Sequence, residues 1–167
     1  MNRSGLMPKL FTAMVCLALA QLRSPQAVAA DDLFQDVIAA WNSHDAGKVA
    51  SLFTDDAVYE DVTLGATSHG TAEIQKFAKQ AFVDIPDFRM ELTGSFSKDG
   101  HGYAEWTLTG IDGNVFKTHK PFSVRGVSIA DMANGKFSHN SDYWDLATVM
   151  KQVGVSPQPG QGAQPAH

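Results

Sequence analysis

The chain has 167 residues, 44% of them apolar and 10% aromatic, with 13 Lys+Arg against 18 Asp+Glu and a formal net charge of −5. This is the composition of one globular domain, and it excludes long disorder, collagen-like repeats and a polytopic membrane protein. An acidic chain is also a poor partner for phosphate backbones, so no nucleic-acid partner is expected.

Residues 1–30 read as a secretory signal peptide. Arg3 and Lys9 give a positive start, and the apolar run Leu10–Ala20 has signal-peptide length but is short for a bilayer span. Small residues at Ala27, Ala29 and Ala30 offer a peptidase site near Ala29 or Ala30. An uncleaved anchor helix is the weaker alternative, and a periplasmic or secreted protein without stable membrane insertion is expected. Cleavage would remove Arg3, Lys9 and Arg23 and leave ten basic against eighteen acidic residues, a net charge of −8. Cys16, the only cysteine, lies in the apolar run behind Ala13 and Val15, which disfavours a lipoprotein signal. The mature chain would then have no thiol and no disulfide. Residues 155–167, rich in Pro, Gln and Gly, read as a disordered tail.

The folded part, 31–154, begins with helical spacing of Leu33, Phe34, Val37, Ile38 and Trp41 behind two aspartates. The turn 42–45 ends that helix, and Asp45 caps a second running to Phe53. A short strand covers Val58–Val62. Thr71 is expected to cap a third helix carrying Ile74, Phe77, Ala78, Ala81 and Phe82 on one face. Alternation then takes over, with hairpin signals at Asp99-Gly100, Asp112-Gly113 and Asn134-Gly135. They predict four strands, roughly 87–97, 102–110, 115–131 and 136–145, the third bent at Pro121 and Gly126. A last helix, Leu146–Val153, closes an α+β order.

Several strings resemble the SnoaL-like branch of the NTF2-like superfamily: 40–45 (AWNSHD), 52–61 (LFTDDAVYED), 69–74 (HGTAEI), and Asn134-Gly135-Lys136 with 142–145 (DYWD) ahead of a helix. The resemblance spans about residues 31–154. It implies a cone-shaped fold, a curved antiparallel sheet wrapped around N-terminal helices with a mostly apolar internal pocket. Polyketide cyclases, ketosteroid isomerases, limonene-type epoxide hydrolases and non-catalytic binding modules share it, so the site must decide the function.

By resemblance, Asp61 stands where ketosteroid isomerases keep a general base. Tyr59 and Asp61 stand where epoxide hydrolases hold the attacking water, and Asp142 where they activate it. Strand alternation puts Tyr59 and Asp61 on one face, and Asn140, Asp142 and Trp144 on one face. A carboxylate in an apolar cone should have a raised pKa, suited to proton transfer. The expected lining is Trp41, Phe77, Trp106, Leu108, Phe122, Val124 and Trp144, with Tyr59 or Asn140 supplying hydrogen bonds where charge develops. Asp145, just before Leu146, reads as a helix cap.

The departures are equally specific. The Arg and second Asp of the epoxide hydrolases fall on Trp106 and Leu108. The tyrosine and protonated aspartate of the isomerases fall near Val37 and near Arg125 or Gly126. Neither oxyanion-stabilising pair is present. The six histidines show no metal spacing, and no phosphate loop or nucleophile elbow occurs, so no metal and no cofactor are expected. The expectation is an exported protein that binds a small hydrophobic molecule, with acid–base isomerisation, cyclisation or water addition by Asp142, Asp61 and Tyr59. The alternative is a non-catalytic periplasmic ligand-binding or scaffold module. A homodimer through the outer sheet face, where Tyr103, Thr107 and Thr109 point, follows from the resemblance.

Overall fold

The computed structural model describes residues 30–156. The expected signal segment, its cleavage site and Cys16, and almost all of the expected tail, lie outside the described residues. Helix α1 (Ala30–Asn42) and the short α2 (Ala46–Ser51) lead into strand β1 (Phe53–Asp61). Strand β2 (Ala66–His69) and helix α3 (Gly70–Asp84) follow, then β3 (Arg89–Lys98), β4 (His101–Ile111), β5 (Pro121–Ala133), β6 (Lys136–Trp144) and α4 (Leu146–Val153). No helix among the described residues is long and apolar enough to cross a membrane.

The six strands form one sheet in the order β2-β1-β6-β5-β4-β3. The last four strands are the expected antiparallel meander, and β1 joins it by lying parallel to β6. Register shifts at Leu92/Gly94, at Asp131/Met132 and between Phe53 and Val58 mark bulges, which tighten twist and curl a sheet. The concave face closes on α1 and α3. Phe34 packs on Phe137 with ring centroids 5.3 Å apart, and Trp41 stacks on Phe88 at 5.2 Å. Truncating a ring as buried as Phe137 costs about 3–5 kcal/mol in comparable cores.

Several local expectations are corrected. Phe53 begins β1 rather than ending α2, because the Leu52 carbonyl accepts from Phe137 N and draws the chain into the sheet. Strand β2 has no counterpart in the sequence reading. Its four residues are too few to show a period, and pairing with β1 holds them extended. The cap of α3 is His69, not Thr71, and Glu73 accepts from His69 N at 2.7 Å. Asp112-Gly113 is not a tight hairpin. Residues 112–120 make a longer loop gathered on the Asp112 carboxylate, which accepts from Phe116 N, Thr118 N and Thr118 Oγ1 at 2.7–2.9 Å. Strand β5 therefore starts at Pro121, and its irregularity falls at Asp131/Met132 rather than at Gly126.

Candidate functional site

The site is built on the concave face where β1, β6, β5 and β4 run side by side. Cross-strand register aligns Asp61, Asp142, Ser128 and Ala104 in one row. A neighbouring row holds Trp144, Gly126 and Trp106, and the other holds Tyr59, Asn140 and Ala130. Adjacent strands are about 4.8 Å apart. Register alone therefore makes Asp61 and Asp142 neighbours with side chains on the same face.

The Asp142 carboxylate is buried and fully dressed. Tyr59 Oη donates to its Oδ2 at 2.5 Å, and Ser128 Oγ and Asn140 Nδ2 donate to Oδ1 at 2.6 and 2.8 Å. Trp106 Nε1 in turn donates to Ser128 Oγ at 2.9 Å, so the indole orients the serine that orients the acid. Asp61 accepts from Leu64 N at 2.9 Å and from Trp144 Nε1 at 3.1 Å to both oxygens. Burial pushes the Asp142 carboxyl above the ordinary aspartate value, against the pull of its three donors, and the charge of Asp61 adds to the rise. Burial raises Asp61 as well, opposed by Leu64 N and Trp144. Tyr59 is held well above the usual phenol value by burial and then by the Asp142 charge, so it stays protonated as a donor.

A cavity of about 270 Å³ opens beside this pair. Trp41, Phe77, Trp106, Leu108, Phe122 and Trp144 line it, together with Tyr59, Asp61 and Asp142. Two expected contributors do not. Val124 is buried in a second core cluster with Val149 and Val153, because α4 covers that end of β5. Asn140 is absent from the wall, and its amide donates to the Asp142 carboxylate. Tyr59 and Asn140, the residues expected to donate where charge develops, both donate to Asp142 here.

Sequence reasoning missed Ser128, the link between Trp106 and Asp142. It also missed the wall residues Phe88 and Met90, and the rim made by Leu64, Val115 and Phe116. Leu64 and Val115 are about half exposed, which places the mouth between the turn after β1 and the 112–120 loop. Asp145 caps α4 as expected, accepting from Thr148 N at 3.0 Å, and this holds its carboxyl below the usual value.

None of the described histidines lines the cavity. His44 stacks on Phe82 and contacts the Phe88 carbonyl at 2.8 Å. His139 meets Glu60 on the outer face at 2.9 Å. No group of three or more potential metal ligands occurs among the described residues.

Residues 34–140 match the family model of the SnoaL-like domain. No curated protein matches the sequence. Among solved structures, the chain is similar to a protein of Catenulispora acidiphila with a ketosteroid isomerase-like fold, solved with trimethylamine. Identity is 22%, the TM-score 0.70, and the match covers 75% of this chain and 94% of that one. A candidate SnoaL-like polyketide cyclase of Shewanella denitrificans is 19% identical at TM-score 0.65, covering 74% and 96%. IdmH, a candidate polyketide cyclase of Streptomyces antibioticus, is 18% identical at TM-score 0.67, covering 77% and 100%. At these identities the likeness establishes the fold.

Proposed function

The chain belongs to the SnoaL-like domain family, and on that premise we propose that it is an exported acid–base catalyst for a small molecule with an apolar body. One observation carries this reading. Two buried carboxylates, Asp61 and Asp142, stand on adjoining strands at the wall of an otherwise mostly apolar cavity. Burying such a pair costs stability, and raised carboxyl pKa values are what proton transfer near neutral pH requires.

In this reading Asp142 is the base. Tyr59, Ser128 and Asn140 fix its orientation, so little reorganisation is left for the reaction itself. Asp142 takes a proton alpha to a carbonyl and returns it to the oxygen or carbon that later carries the electron pair. Isomerisation and aldol cyclisation share that first step, whereas in water addition the same carboxylate would take its proton from the attacking water. The aromatic walls exclude water and hold the apolar body. Neighbours that are candidate polyketide cyclases, and one solved with trimethylamine, support a small organic ligand in this fold.

The experiment is proton exchange in D2O. The purified domain is incubated with ketones that fit the cavity, such as 2-tetralone, and alpha-deuteration is followed by proton NMR. Exchange clearly above buffer that disappears with Asp142→Asn supports the reading. Exchange at the buffer rate for every ketone that binds counts against it.

A non-catalytic binding module is the second reading, and a specific observation favours it. Tyr59, Trp106 and Trp144, donors in the cavity wall, are already committed to Asp142, Ser128 and Asp61. A binder would retain its ligand when both aspartates are neutralised, and would gain stability.

We further propose a homodimer through the outer sheet face. There Phe96, Tyr103 and Ile129 follow one another across three strands, each 44–55% exposed.

A further inference from the structure

The charge inventory of the cavity wall is one-sided. Among the described residues its ionisable side chains besides Tyr59 are four aspartates, Asp61, Asp84, Asp112 and Asp142, and no described Lys, Arg or His lines it. Among the described residues none of the four takes part in an ion pair. Asp112 is 1% exposed, and although burial opposes its charge, hydrogen bonds from Phe116 and Thr118 hold its carboxyl below the usual value. The wall is therefore acidic at the loop that forms its mouth as well as at the Asp61–Asp142 pair.

The remaining wall is mostly apolar and rich in aromatic rings, and all three tryptophans of the chain belong to it. The indole N–H of Trp144 is fixed on Asp61 and that of Trp106 on Ser128, so both rings are locked beside the acids. A π face next to a carboxylate in a low-dielectric pocket attracts a cation twice over, through the ring quadrupole and through the charge. An anion meets four acidic side chains and, among the described residues, no cationic side chain in the wall.

Building on the reading of this cavity as a ligand site, we propose that its ligand is a small cation with an apolar body, a tertiary or quaternary amine, whose ammonium sits against Asp61 and the Trp144 ring. Asp61 suits this role better than Asp142. Its donors are the backbone N–H groups of Thr63 and Leu64 and the Trp144 indole, and it lies beside the exposed Leu64 at the rim. Asp142, wrapped by three side-chain donors, is left for proton transfer. The exposed apolar rim admits the body of the ligand, and Asp84 and Asp112 favour the approach of a positive head.

Three isosteres of nearly equal shape test charge alone: choline, 3,3-dimethylbutan-1-ol and 3,3-dimethylbutanoate. Each is titrated into the domain while tryptophan fluorescence is followed, a direct readout because every tryptophan lines the cavity. The expected result is that choline binds about tenfold or more tighter than the alcohol, and the anion weakest of all. Asp61→Asn should bring choline and alcohol within about twofold of each other while the alcohol keeps its affinity. The wild-type series stands even if that variant folds poorly. Equal binding of alcohol and choline would overturn the cation while leaving the cavity a ligand site. Tighter binding of the anion, or no response to any of the three, would also overturn it. In those cases the ketone exchange experiment still decides the catalytic reading on its own.

Discussion

The indole of Trp106 lies over Gly126. The two residues are cross-strand partners on β4 and β5, and a Cβ added at 126 would come within 2.2 Å of the ring. The glycine is thus the space the indole occupies, and through Trp106 Nε1 and Ser128 that space reaches Asp142. Gly126→Val should cost about 1–3 kcal/mol by overpacking, read as a lower midpoint in urea. It should also change the tryptophan fluorescence of the native state, because the ring is displaced. Full stability with an unchanged spectrum would show that Trp106 has room to spare.

The paired aspartates make a signed pH prediction. A carboxyl whose pKa is higher in the folded than in the unfolded chain adds stability below its unfolded value, about 3.9, and that contribution is lost as pH rises through the folded value. Asp61 and Asp142 are both raised by burial. Glu60, Asp112 and Asp145 are lowered and work in the opposite sense on acidification, so total stability mixes both kinds. The difference between Asp142→Asn and wild type isolates one group. The variant should gain on wild type as pH increases from about 4 toward neutrality, by denaturation at each pH. A flat difference would contradict a raised Asp142.

Asp112 holds the mouth loop by its backbone. Asp112→Ala strands the N–H groups of Phe116 and Thr118 and the Thr118 hydroxyl, at about 1–3 kcal/mol per buried group left unsatisfied. Amide exchange of residues 114–120 should accelerate well beyond that of β4 and β5, which the substitution leaves paired. Uniform acceleration across the sheet would mean that the loop is not a separate unit.

Much of the fold was legible because it rests on local signals. Helical spacing from Leu33 to Trp41 and the glycine turns at 100 and 135 needed no tertiary information. Strand alternation likewise placed Tyr59 with Asp61 and Asn140 with Asp142 and Trp144. Ser128 was out of reach for a physical reason. The turn pairs Ala133 with Lys136, and an unbroken hairpin from there would set Asp142 opposite Val127. The bulge at Asp131/Met132 moves the partner to Ser128. Bulges carry no composition signal strong enough to be counted from one sequence. The same holds for the 112–120 loop, where a buried carboxylate, rather than the Asp-Gly turn itself, decides the backbone. Val124 was misplaced because alternation gives the face but not which part of that face a terminal helix covers.

The proposed dimer has a simple test. Ile129 is 54% exposed at one end of the apolar outer row, on the face opposite the cavity. Ile129→Asp should turn a dimer into a monomer by analytical ultracentrifugation and leave ligand affinity within a few-fold. A wild-type monomer at micromolar concentration would end the proposal.

The central claim is that Asp142 moves a proton rather than merely holding a ligand. Its most direct test is to measure ketone affinity and alpha-exchange rate on the same sample of Asp142→Asn, where the isosteric amide keeps the shape of the wall. The expected exchange rate is lower by about a hundredfold or more, in the range typical for loss of a general base, with affinity changed by no more than a few-fold. Loss of binding and exchange by the same factor would make Asp142 a binding residue and contradict the account.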